Sequence, residues 1–287
     1  MLILIGVFGT FPMLRPPLTE IPMEESSTTA GATVQPMPLG EKLINVLAAP
    51  GEVYQNIHDT PKSTATWFVP LIIMIVVSLV MVQVVMHNAT IVDQIKTMVQ
   101  EGNEKRLQDQ IQSGKIPPER VDQAREQMEA FSDPTSVMMT VIRTAGIILG
   151  LPLVLLVVSF IYWLLGKGIM RATAPFTKVM EVVGLALVIG ALESIVTTII
   201  SIAMKNFHAG PNLALAVLSD FSTSNPLHLA LAKINIFTFW NLGVVSVGLS
   251  RLFNRDFPKV AVLVFALWIF WTVLTIMASV LWNIQMG

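Results

Sequence analysis

Two long apolar runs dominate the pattern of hydrophobic and polar positions, and a short basic linker joins them in the middle of the chain. The runs cover residues 141–165 and 179–204, and the linker carries Lys167, Arg171 and Lys178 without any acidic residue. A hydrocarbon core of about 30 Å needs about 20 helical residues at roughly 1.5 Å each. Each run is therefore long enough to cross a bilayer, and the pair predicts a membrane hairpin.

Three further apolar runs complete the predicted fold. They lie at about residues 67–86, 231–252 and 260–283. Runs of this length with few charges are typical of transmembrane helices. The pattern thus predicts an all-α, polytopic membrane protein, a five-helix transmembrane bundle that occupies residues 67–283.

Amphipathic patterns occupy the two polar stretches beside the first run. Residues 39–66 show a partly helical pattern interrupted at Pro50, and we expect a cytoplasmic amphipathic lead-in along the membrane surface. Residues 87–140 have apolar positions at helical spacing. They predict an exterior loop of two or three amphipathic helices, broken at Gly114 and again at residues 132–134.

The first 38 residues fit neither pattern. Residues 1–14 are apolar but too short to span, and they lack the cationic start of a secretory signal. A proline-rich stretch with Ser, Thr and Glu follows. Three interpretations stay open: a disordered tail, a weak interfacial anchor, or an extension upstream of a true start at Met37.

Charge predicts the orientation of the bundle. Loops near spans carry more Lys and Arg on the cytoplasmic side. With five spans, the linker of residues 166–178 and a second basic turn at residues 251–259 fall on one side, and the more acidic residues 87–140 fall on the other. We therefore expect a multi-pass protein of the inner or plasma membrane with a cytoplasmic N-terminus and an exterior C-terminus.

Composition supports the membrane class and excludes several chemistries. The chain is 53% hydrophobic and 13% charged, with a mean hydropathy of +0.68, which exceeds what a soluble domain hides in one core. A net charge of −1 without a basic stripe argues against nucleic acid as a partner. The absence of cysteine excludes disulfides, thiolate metal sites and thiol catalysis.

Glu193 is the candidate with the clearest physical argument. It lies midway along the third predicted span, where an acidic side chain costs about 2.5 to 3.5 kcal/mol. Asn241 should lie at a similar depth in the antiparallel fourth span, and Thr197 lies one turn from Glu193. Glu193 is either a contact for a proton, cation or lipid head group, or a protonated carboxyl that hydrogen-bonds Thr197 or Asn241 to hold the helices together.

Small residues predict two helix-packing faces. Gly146 and Gly150 have the small-xxx-small spacing that lets two membrane helices approach closely. Ala186 and Gly190 share one face of the third span with Glu193. Because this face is small and polar, we expect it to pack on protein.

The remaining polar residues predict little chemistry. Arg143 and Lys233 should lie near the exterior face, where long cationic side chains reach water, and an anionic head-group site beneath the exterior loops is the alternative. His87, His208 and His228 form no metal-binding spacing. No phosphate loop or catalytic motif is present, so neither a cofactor, nor a metal, nor a catalytic residue is predicted.

Several short stretches together suggest a family. They are Ala-Pro-Gly-Glu-Val-Tyr at residues 49–54, Ala-Pro-Phe-Thr-Lys-Val at 174–179, Ile-Asn-Ile-Phe-Thr-Phe-Trp at 234–240, Gly-Leu-Ser at 248–250 and Phe-Pro-Lys-Val-Ala at 257–261. In this order, with five predicted spans, they resemble the bacterial branch of the Yip1-domain family.

The resemblance implies a five-helix membrane protein that associates with itself or with other membrane proteins. Eukaryotic relatives are tied to vesicle trafficking and to prenylated small GTPases. Their acidic-aromatic, Tyr-Gly-Pro type motif before the first span is replaced here by Thr-Trp-Phe-Val-Pro at residues 66–70, so small-GTPase binding is not carried over.

Two functions follow as expectations. The first is a membrane adaptor or organiser that works by helix packing and protein association without catalysis, with membrane lipids, other membrane proteins or itself as partners. The alternative is a small transporter or lipid-handling protein with a midplane site at Glu193 and Asn241. The odd number of spans and the lack of an internal repeat argue against the alternative.

Overall fold

Five long apolar helices run through the chain. A computed structural model describes residues 34–130 and 132–285, without the side chains of residues 118, 129, 130 and 282–285. The long helices are α3 (Ala65–Met86), α6 (Val137–Gly168), α7 (Phe176–Ala203), α9 (Ile236–Phe253) and α10 (Phe257–Gln285). The shorter ones are α1 (Leu39–Ala48), α2 (Pro50–Asp59), α4 (Ala89–Gln112), α5 (Val121–Ala130) and α8 (Pro226–Lys233), with 3₁₀ helices at Pro118–Arg120 and Leu213–Asp220.

All five long helices have the length and hydropathy needed to cross a membrane. The prediction of an all-α, five-span membrane protein is thereby confirmed. The predicted tail at residues 1–38 lies mostly outside the described residues. At its end, the Met37 amide donates a hydrogen bond to Asn56 Oδ1 at 2.9 Å, which ties this part of the chain to α2.

The helix bounds differ most from the prediction at the fourth span. The prediction starts that span at residue 231, but the structure forms α8 there and begins α9 only at Ile236. Asn235 causes this later start of α9. Its backbone is extended, and its Oδ1 accepts a hydrogen bond from the Phe237 amide, which caps the first turn of α9.

Helix α7 lies at the centre of the bundle and packs against α3, α6 and α9. The first half of α7 is buried on all sides, and Val179, Val182, Leu185 and Ile189 are completely enclosed. An all-round apolar helix is typical of a buried central element. The hydrophobic core therefore follows α7.

Helices α1 and α2 cover one end of that core. Val53, Tyr54 and Ile57 of α2 are almost fully buried against α7 and α9. The apolar face of α2 is therefore buried in the bundle itself, and the expectation that this lead-in lies along the membrane surface stays a prediction.

The two ends of the bundle have different structures. We call the end with α1, α2 and the linkers at residues 169–175 and 254–256 the linker end, and the end with α4, α5 and α8 the loop end. At the loop end α4 stops at Gln112, just before Gly114 with a φ of +69°, where a break was predicted.

Helices α4 and α5 form a polar hairpin at the loop end. Arg125 on α5 and Glu104 on α4 form an ion pair of 2.9 Å. Asn103 on α4 donates to Ser132 Oγ at 3.0 Å, just beyond α5. The predicted amphipathic helical loop is therefore a helical hairpin held together by its own polar side chains.

Candidate functional site

The acidic side chain of Glu193 lies where α7 meets the start of α9. Its Oε1 accepts a hydrogen bond from Asn235 Nδ2 at 2.6 Å. Asn235 is buried and caps α9 through its other side-chain atom, so one asparagine serves both helices. The Leu213 amide donates to the carbonyl of Ile234 at 3.0 Å, which holds the extended backbone before the cap.

Asn241 does not pair with Glu193. Its Nδ2 donates to the backbone carbonyl of Ala186 at 3.0 Å. Two contacts thus define the register of the antiparallel helices: Glu193 with Asn235, and Ala186 with Asn241. A pairing of Glu193 with Asn241 would require a shift of six residues, or about 9 Å of helix rise. The predicted pairing is wrong because the fourth span begins later than its apolar pattern indicates.

Thr197 takes no visible part in this polar contact. Its side chain is half-buried, and its Cγ2 lies 3.5 Å from the position that a Cβ on Gly210 would occupy. The predicted site of three residues is thus divided. Glu193 contacts the α9 cap, Asn241 contacts the α7 backbone, and Thr197 packs on the loop.

A second polar cluster, which the sequence pattern did not reveal, lies at the linker end. The Lys178 ammonium donates to the carbonyls of Ile57 at 2.5 Å and Thr60 at 2.8 Å. It also lies 3.6 Å from Glu181 Oε1, which accepts from the Ser63 amide at 3.0 Å. Both charged side chains are buried, so the cluster fastens the end of α2 and the following loop to α7.

The Lys178 ammonium lies at the C-terminal end of α2, where a positive charge is favourable. The last carbonyls of α2 carry partial negative charge, and an ammonium nearby compensates it. Lys42 of α1 is also buried beside the cluster, where desolvation lowers its pKa and the charge of Glu181 partly opposes that shift. The signal in the sequence is an acid, Glu181, three residues after Lys178 inside an apolar run.

The predicted small-residue faces separate into an inner and an outer set. Ala186 is buried, and a Cβ on Gly190 would lie 3.6 Å from Met74 Sδ, so both pack inside the bundle. Among the described residues, no atom lies within 4 Å of a Cβ built on Gly146 or Gly150. Their face of α6 is therefore open toward the described part of the chain.

Two close helix contacts use glycines that are not among the predicted helix-packing residues. A Cβ on Gly184 would lie 2.5 Å from Trp67 Cβ and 2.7 Å from its Cα, so α7 and α3 touch at their backbones. A Cβ on Gly248 would lie 2.5 Å from Val182 Cγ1 and 3.0 Å from the Tyr54 ring. The absence of a side chain is what permits these two approaches.

The other predicted polar residues lie at the loop end. The rings of His208 and His228 both lie against Phe221, with centroid separations of 4.5 and 5.9 Å. Lys233 is exposed at the end of α8, whereas Arg143 is half-buried on α6. Within the described ranges, no group of three His, Cys, Asp or Glu residues is arranged to hold a metal ion.

Comparison with known protein families identifies a match over most of the chain. The family model of the Yip1 domain matches residues 44–280, which is most of the chain. The matched region begins in α1 and includes the five apolar helices up to the last turns of α10. No curated protein and no solved structure matches the chain.

Proposed function

Because the chain belongs to the Yip1 domain family, we propose that it is a non-enzymatic membrane adaptor, which organises other membrane proteins or copies of itself through helix packing. The observation that carries the proposal is the open glycine face of α6. Gly146 and Gly150 leave a shallow groove there, and no part of the described chain fills it. In a bilayer, a groove of this kind lets a second helix approach closely.

The placement of the groove supports an interface between molecules. The buried face of α6 carries Leu155, Ser159 and Tyr162, and it points to the bundle. At 100° per residue, Gly146 and Gly150 lie opposite these three side chains, although Gly146 is also one turn from Ile142 and Arg143, which line a cavity between α3, α6 and α7. Gly146 is exposed and Gly150 is half-exposed, so lipid or another protein can reach them.

The polar residues within the spans support a structural rather than a catalytic role. Glu193 is engaged by Asn235, and Asn241 by the carbonyl of Ala186. The proposed alternative, a transporter or lipid-handling protein with its site at Glu193 and Asn241, requires these two side chains to meet. Since each holds a different contact between α7 and α9, this pair supports the adaptor.

The charges at the two ends support a cytoplasmic linker end. Lys167, Arg171, Arg251, Arg255 and Lys259 are all exposed at the linker end. The helices of the α4–α5 hairpin carry more acidic than basic residues. With the positive side facing the cytoplasm, the N-terminus is cytoplasmic and the C-terminus exterior, as for a protein of the inner or plasma membrane.

In-membrane cross-linking tests the adaptor proposal. Two differently tagged copies are expressed together, and cross-linked products are compared for wild type, Gly146→Leu, Gly150→Leu and the control Ala145→Leu. Ala145 is also exposed and lies at the same depth, but about 100° away around α6.

We expect the two glycine variants to lose self-association or a partner band that the control retains. Unchanged self-association and unchanged partner recovery in both variants, with normal amounts of protein in the membrane, would overturn the proposal.

A further inference from the structure

A cavity of about 580 Å³ opens at the loop end between α3, α6 and α7. Met81, Val82 and Val85 of α3 form one wall, and Ile142 of α6 forms part of the other. Ile95 of the amphipathic helix α4 closes the cavity toward the loop end. The cavity is of the size of ordinary small-molecule sites, roughly 300–1,000 Å³.

Arg143 adds a positive charge to this apolar cavity. Its Nη1 donates to the Pro134 carbonyl at 3.1 Å and to Met86 Sδ at 3.5 Å, and its Nη2 lies 3.5 Å from Thr140 Oγ1. All of these acceptors are neutral. The Nε atom is enclosed and has no acceptor among the described residues.

The nearby acidic residue is already engaged. Asp133 lies 3.6 Å from the Lys96 ammonium and accepts two hydrogen bonds from Thr135. No ion pair joins Arg143 to a carboxylate in the part of the chain that the structure describes. A guanidinium with an enclosed Nε that has no acceptor among the described residues is unfavourable without a counter-charge.

We propose that this cavity binds an anionic phospholipid of the bilayer, with its phosphate at Arg143 and one acyl chain along the α3 and α6 walls. A guanidinium is the side chain best suited to a phosphate, because it offers several donors in one plane. The apolar walls, which belong to three membrane-spanning helices, select a lipid rather than a free anion. The polar and apolar parts of the cavity thus match the two parts of one ligand.

The position of Arg143 along α6 fits the depth of a phosphate group. Arg143 follows the start of α6 at Val137 by six residues, which is about 9 Å of helix rise. The cavity walls continue from there toward the middle of the span, to Ser78 of α3 and Ser194 of α7. The charged part therefore lies nearer the membrane surface, as in a lipid molecule.

Native mass spectrometry with defined lipids tests the proposal. The full chain, purified in a neutral detergent, is mixed with phosphatidylglycerol or with phosphatidylcholine of the same acyl chains. The variants are Arg143→Gln and Val82→Trp, which fills the cavity and keeps Arg143. Their controls are Lys233→Gln, an exposed cation at the same end, and Val76→Trp, an exposed position on the same helix.

Wild type and both controls are expected to retain phosphatidylglycerol in preference to phosphatidylcholine. Arg143→Gln should lower that retention by about tenfold, as for the loss of a charge-assisted contact. Val82→Trp should lower the retention of both lipids.

Three results would overturn the proposal. They are equal retention of the two lipids by wild type, unchanged retention in a folded Arg143→Gln variant, and displacement of phosphatidylglycerol by millimolar inorganic phosphate. If Arg143→Gln does not fold, the lipid retention of the Val82→Trp variant alone tests the proposal. Loss of phosphatidylglycerol from Val82→Trp but not from Val76→Trp supports the site, and unchanged retention refutes it.

Discussion

Asn235 donates a hydrogen bond of 2.6 Å to Glu193 and so joins the first turn of α9 to the side of α7. The same asparagine accepts from the Phe237 amide, which places the contact at the helix cap. The carboxyl group therefore holds the point at which an extended segment becomes a membrane helix. The polar group with the clearest sequence argument for ligand binding is used between two helices of the bundle.

The energetic coupling of Glu193 should follow this geometry. In double-mutant cycles with Glu193→Leu, Asn235→Ala should show a coupling of about 0.5–1.7 kcal/mol, because the two side chains share one hydrogen bond. Asn241→Ala should be additive with Glu193→Leu to within about 0.5 kcal/mol. Denaturant unfolding in detergent measures both cycles. Strong coupling of Glu193 to Asn241 instead would contradict the register between α7 and α9.

Replacement of glycine by alanine should change the stability of the protein differently at an inner and an outer glycine. Gly184→Ala forces a shift of the Trp67 backbone and should destabilise the protein by about 1–3 kcal/mol. Gly146→Ala meets no atom of the described residues and should be neutral or raise stability by up to about 1 kcal/mol, because alanine is the better helix former. Thermal unfolding of both variants in the same detergent provides the comparison. Equal effects would show that the α3–α7 contact is looser than the structure indicates.

Replacement of the buried Lys178 should weaken the attachment of α1 and α2 to α7. Lys178→Met leaves Glu181 and the carbonyls of Ile57 and Thr60 without their cation, and should destabilise the protein by about 3–5 kcal/mol. Limited proteolysis should then cut the loop at residues 60–64. The double variant Lys178→Met/Glu181→Leu should recover part of the loss, because no unpaired charge remains buried.

An exposed ion pair serves as the control for this cluster. Lys259 and Asp256 lie 2.7 Å apart at the linker end, and both are well exposed. Lys259→Met should leave unfolding and proteolysis unchanged, because solvent screens such pairs. A loss similar to that of Lys178→Met would mean that burial does not explain the effect.

Acidification should destabilise the loop end through His208. Burial lowers the pKa of His208 below its ordinary value, so the unfolded chain binds a proton at a pH where the folded chain does not. The contribution of the neutral imidazole is therefore complete above the ordinary pKa of about 6.5 and declines as the pH falls below it. Unfolding midpoints of wild type and His208→Phe, measured between about pH 8 and 5, should diverge on the acidic side. The phenylalanine variant keeps a ring against Phe221 and removes the titration, so parallel curves would contradict the prediction.

Much of the architecture could be predicted from the amino-acid pattern alone. A stretch of about 20 apolar residues is a local property of the chain, and a bilayer converts it into a helix of the necessary length. The five spans, the helical loop and its break at Gly114 therefore follow from neighbouring residues. The same reasoning located Glu193 inside a span and Arg143 near the end of another.

The contacts between helices were decided only by the tertiary structure. The Asn235 cap moves the start of α9, and this sets which residues of α7 and α9 meet, so Glu193 reaches Asn235 instead of Asn241. Helical periodicity gives the face of a residue but not its height relative to another helix. For the same reason the backbone contact at Gly184 and the carbonyl partners of Lys178 could not be read from spacing, because each depends on a surface supplied by a distant part of the chain.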